Sequence, residues 1–119
     1  MRKILPLLLA LLMLACNRTK HNSASDPAYS MLERVAELNA GGDKHGALAL
    51  ADSALRMHPA DTTRCWLLSE KAVTLVDMGR MADAVDVAQG AYRLAEKLHD
   101  VDAMLNLRGT MGIAYRRLG

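Results

Sequence analysis

Beyond Asp26 the apolar residues return every three or four positions, in runs of roughly 12 to 18 residues, which is the period of a helix with one buried face and not the alternation of a strand. The runs break at Gly41-Gly42, around Pro59, near Gly79 and near Asp100, each a turn signal. Start signals agree with the breaks. Asp26-Pro27 offers an N-cap followed by a proline at the first helical position, Asp43 follows the glycine pair, and Asp61, Thr62 or Thr63 can cap the segment after Pro59. The pattern predicts five helices, over residues 27–40, 43–57, 62–78, 81–98 and 101–118.

These segments resemble one another. With Gly42 set on Gly79, an offset of 37 residues, Val35 falls on Ala72, Leu38 on Leu75, Ala47 on Ala84, Ala51 on Ala88 and Ala54 on Ala91. A further offset of 40 residues sets Ala72 on Gly112, Leu75 on Tyr115 and Gly79 on Gly119. Each unit is a helix, a glycine turn and a second helix, and the small residues let paired helices approach closely. The expected fold is all-α, built of antiparallel helix-turn-helix units, about two and a half of them.

The run Gly112-Ile113-Ala114-Tyr115-Arg116-Arg117-Leu118-Gly119 resembles the first helix of a tetratricopeptide repeat. Gly79-x4-Ala84-x6-Ala91 resembles its turn and second helix, and Gly42-x4-Ala47-x6-Ala54-x4-Pro59 matches the same half with its closing proline. Ala51 and Ala88 stand where the repeat usually carries an aromatic residue, and the units exceed the usual length. The resemblance implies an α-solenoid over residues 27–119 that holds a protein or peptide ligand, with the first helix of each pair on the inside of the curve. Residues on that side are Tyr29, Asn39, Trp66, Ser69, Val73, Asp77, Asn106 and Arg116. Trp66 has a second reading, as a core residue between repeats. Solenoids of this kind need about three units and a polar terminal helix. The chain is therefore expected to continue past its last helix or to need a partner, including self-association through Leu105, Met111, Ile113, Tyr115 and Leu118.

The first sixteen residues follow another order. Arg2 and Lys3 precede an apolar run over residues 4–14, and Ala15 precedes Cys16. That is signal-peptide order, and the run is short of the roughly 20 residues a spanning helix needs. Leu12-Met13-Leu14-Ala15-Cys16 resembles a bacterial lipobox, with Met13 where Leu, Val or Ile is usual. The resemblance implies export, cleavage before Cys16, lipidation of its thiol and anchoring in a bacterial membrane. Residues 17–26, rich in Asn, Ser, Thr and Lys, read as a flexible polar tether.

Composition narrows the function. Taking Arg2 and Lys3 from the 15 basic residues leaves 13 against 13 acidic ones, a neutral balance with no electrostatic footprint for nucleic acid. The chain lacks Phe and is 51% hydrophobic, and its filling by Ala, Leu and Met suits helices packed closely together. No catalytic, nucleotide-binding or paired-cysteine motif is present, so no enzyme and no cofactor are expected. His21, His45, His58 and His99 lack metal-ligand spacing. Cys65 is expected to be a small core residue and not a reactive thiol, and Asp83, Asp86, Asp100 and Asp102 to be exposed or capping carboxylates and not a cation site. Two functions fit: an anchored binding scaffold, or the exported sensory start of a longer signalling protein with a membrane span and a kinase or DNA-binding domain.

Overall fold

The computed structural model describes residues 26–119, so the leader, Cys16, His21 and residues 17–25 lie outside the described residues. Five helices follow in order: α1 Pro27–Ala40, α2 Lys44–Leu55, α3 Asp61–Asp77, α4 Met81–Leu98 and α5 Val101–Leu118. The sequence pattern places three of them to the residue. The exception in length is α2, which stops at Leu55, and Pro59 is buried in the connection that follows.

Three helix ends are built alike. The N–H of Asp43 donates to Leu38 at 2.9 Å, that of Arg80 to Leu75 at 2.8 Å and that of Asp100 to Ala95 at 3.0 Å, each closing the last turn through a residue in the left-handed region. Gly42 (φ 84°) and Gly79 (φ 81°) hold that position after α1 and α3, whereas His99 (φ 53°) holds it after α4.

Each helix packs on the next, and α1 also packs on α3 and α3 on α5. The first helices of successive pairs therefore lie side by side, with α2 and α4 behind them. Alanine makes the close approach possible: Ala47, Ala51 and Ala54 of α2 face Ala28, Val35 and Leu67, and Ala88, Ala91 and Ala95 of α4 face Cys65, Ala72, Ala103 and Leu107. Of the positions related by the 37-residue offset, Val35 with Ala72, Ala47 with Ala84, Ala51 with Ala88 and Ala54 with Ala91 are all buried, while Leu38 is half-buried and its equivalent Leu75 buried. Leu67, Leu75 and Leu107 are the largest fully buried side chains, each contributing about 1.5–3 kcal/mol through burial.

The 40-residue offset holds for only one side of the last helix. Leu67 and Leu107 are both fully buried, as are Thr74 and Ala114, because these face the preceding helices. Gly112 and Tyr115, expected to match Ala72 and Leu75, are exposed instead. On α3 the matching side is covered by α4 and α5, and among the described residues nothing covers it on α5.

Candidate functional site

The face formed by α1, α3 and α5 collects most of the residues singled out above, and hydrogen bonds stitch those helices together. The Asn39 amide donates to the Glu70 carboxylate at 2.8 Å, and the Thr74 hydroxyl donates to Asn39 Oδ1 at 2.8 Å. One unit further on, the Asn106 amide donates to the Ser69 hydroxyl at 2.9 Å. Thr74 and Ser69 are fully buried, so their hydroxyls have no water to turn to. These bonds fix the register of neighbouring helices.

Trp66 is half-buried against Cys65 and the alanines of α4, and its indole N–H donates to Asp100 at 3.2 Å. It packs against the core between α3 and α4 from one side and keeps the other partly open. Ser69 is a correction: its burial withdraws it from any ligand-facing surface. Arg116 is another. It is exposed, but helical spacing aligns it with Asp102, Leu105, Gly109 and Gly112, on the end of the stack and not on the face shared with α3. Asp77 and Asn106 are exposed, and Tyr29, Asn39 and Val73 are half-buried. The open part of the face is therefore smaller and more polar than periodicity suggested.

Two aspartates repeat a device that the sequence showed only in half. Asp26 caps α1 by accepting from Ala28 N–H, and its other oxygen accepts from Ala60 N–H at 3.0 Å. Asp100 caps α5 by accepting from Ala103 N–H, while its other oxygen holds Trp66. The local cap expected for α3 from Asp61, Thr62 or Thr63 is not used. Ala60 occupies the cap position without a side-chain bond, and Asp26 reaches its N–H from the start of α1. Desolvation pushes the Asp26 carboxyl up, but hydrogen bonds from Thr63, Ala28 and Ala60 outweigh it and hold the group below the usual carboxylate range.

Cys65 donates its thiol to the Ala91 carbonyl at 3.6 Å and is fully buried. Burial first, then the negative charge of Asp100, pushes the thiol up, so it stays protonated and a poor nucleophile. His45, His58 and His99 are exposed, Asp83 pairs with Arg80 at 2.8 Å, and no group of three or more potential metal ligands occurs among the described residues.

Two of the grooves among the described residues lie away from this face. One, of about 270 Å³ between α2 and α4, is crossed by the 2.6 Å Lys71–Asp52 ion pair and flanked by Arg80, Asp83 and Asp86. The other, of about 360 Å³, sets Arg64, Arg93 and Lys97 around Leu68 and Leu94. The near-balance of charges hides this basic cluster, in which Arg64 of α3 joins Arg93 and Lys97 one turn apart on α4. No helix among the described residues is long and apolar enough to cross a membrane. Comparison of the chain with protein-family models, with curated proteins and with solved structures gives no match.

Proposed function

We propose that the protein is a non-enzymatic scaffold of the tetratricopeptide kind, exported and held at a bacterial membrane through a lipid on Cys16, which binds a protein or peptide segment along α1, α3 and α5. The observation that carries this reading is the direct packing of α1 on α3 and of α3 on α5. It makes one continuous surface from three helices, and repeat solenoids use such surfaces for binding. Tyr29 offers a rigid aromatic contact and Val73 an apolar one, while Asp77 and Asn106 supply polar groups at the rim. The lipid reading is supported by the order of charges, apolar run and Ala15-Cys16 junction.

The test is an array of short immobilised peptides of varied sequence, probed with the full chain. Tyr29→Ala and Asp77→Ala are expected to weaken retained peptides about tenfold or more each, about 1.4 kcal/mol, with the unfolding midpoint nearly unchanged. Absence of any peptide bound more tightly than about 1 mM overturns the scaffold reading. For the anchor, the wild type is expected to incorporate labelled palmitate in bacteria and Cys16→Ser to incorporate none; equal labelling of the two removes Cys16 as the site.

A further inference from the structure

Among the described residues the large apolar side chains left open to solvent are Met57 and five residues of α5: Val101, Leu105, Ile113, Tyr115 and Leu118. Tyr115 is engaged with α4 through its hydroxyl, which accepts from the Gln89 amide. Of the others, Leu105 lies on a stripe with Asp102, Gly109, Gly112 and Arg116, which succeed one another at spacings of three and four and are all exposed, a line about 21 Å long. It lies opposite Ala103, Leu107, Thr110 and Ala114, which dock the helix on α3 and α4. Leu105 in its middle is 61% exposed.

Among the described residues, no atom beyond the adjoining residues and the local helix backbone lies within 4 Å of a Cβ placed on Gly109 or Gly112, so neither makes room for a described neighbour, yet each weakens the helix it sits in. A second backbone crossing closely over α5 would use both. On α3, forty residues earlier, Cys65, Ser69 and Ala72 occupy the corresponding positions and are fully buried.

We propose that the occupant is α5 of a second copy of this chain, lying antiparallel across the stripe. The charges favour it. The first turn of α5 carries Asp102 and its last turn Arg116 and Arg117, so a two-fold pair crossing at Gly109 sets Asp102 opposite the partner's Arg116 at both ends of the contact. Head-to-tail stacking is disfavoured, because the outer side of α1 presents Ser30, Glu33, Arg34 and Glu37, and covering these with Leu105 would strip them of water without replacing their bonds. The dimer goes beyond the scaffold reading and does not depend on it. One helix face falls short of the roughly 800 Å² per partner of a standard stable complex, so the dimer forms in a concentration-dependent way.

The test is sedimentation equilibrium of the full chain with Asp102→Arg and Arg116→Asp, separately and mixed. Each variant alone sets like charges together at both contacts and is expected to stay monomeric, whereas the mixture restores opposite charges at both and is expected to associate like the parent. Both positions are exposed, so circular dichroism should show all forms folded. The proposal is overturned if the parent is monomeric up to about 1 mM, if the variants alone associate like the parent, as they would through the apolar leader, or if the mixture associates no better than its components.

Discussion

The two ends of the helix stack differ in a way their interiors do not. At the N-terminal end, α1 turns Ser30, Glu33, Arg34 and Glu37 outward, with Arg34 and Glu37 paired at 2.9 Å. At the C-terminal end, α5 turns out Leu105 and Ile113 beside Gly109 and Gly112. Both helices begin with a capping aspartate whose second oxygen reaches a neighbouring element, Ala60 from Asp26 and Trp66 from Asp100. Their inner sides follow the same rule of small and apolar residues. What differs among the described residues is the outer side alone, polar on α1 and more apolar on α5. Helix pairing thus governs contacts within the stack, while each end is settled separately by a few exposed residues.

The largest expected effect tests how firmly the C-terminal end is held. Leu107 is fully buried where α5 packs on α3 and α4, so Leu107→Ala should cost about 2–5 kcal/mol in urea unfolding. A loss below about 1 kcal/mol would mean that α5 docks loosely, and the contrast between ends would then be one of order and not of surface chemistry.

A smaller effect is expected at the N-terminal end. Asp26→Ala removes the cap of α1 and the bond to Ala60, and should cost about 1–2 kcal/mol at neutral pH. The carboxyl is held below its usual range in the fold, so its contribution is fully present above the unfolded value of about 3.9 and is lost as pH falls through the lowered folded value. Unfolding curves at neutral and strongly acidic pH should therefore differ less for Asp26→Asn than for the wild type. An unchanged pH dependence in the variant would show that other carboxylates carry the acid sensitivity.

The smallest effect has the opposite sign. Gly112 has open space around its missing Cβ, so Gly112→Ala should stabilise the dilute monomer by about 0.5–1 kcal/mol. The comparison sharpens if the same change weakens association, because a residue that costs the monomer would then be shown to serve the pair. Destabilisation of the monomer would mean that α5 already has a neighbour at that point.

Much of the fold was legible because periodicity and turn residues are local. The five runs of apolar residues placed the helices, Gly42 and Gly79 placed two of the turns, and the 37-residue offset found buried alanines in α2 and α4 before any contact was known. The candidate site was less legible. A stripe drawn on a helix separates apolar from polar positions but does not say which neighbour a given side meets, which is why periodicity places Ser69 and Arg116 on the ligand-facing side and packing does not. The basic groove of Arg64, Arg93 and Lys97 was not legible because Arg64 meets the other two only through the packing of α3 on α4.

The sequence by itself determined the helices, their ends and the small-residue seams, since each depends on residues within one or two turns of one another. Only the tertiary structure decided that Trp66 leans into the core toward Asp100, that Asp26 caps one helix while holding the start of another, and that the far side of α5 is exposed among the described residues. Those outcomes depend on which helices become neighbours in space. A residue's chemistry is written in the chain, but whether it meets water, a carbonyl or another helix is fixed by packing between segments more than thirty residues apart.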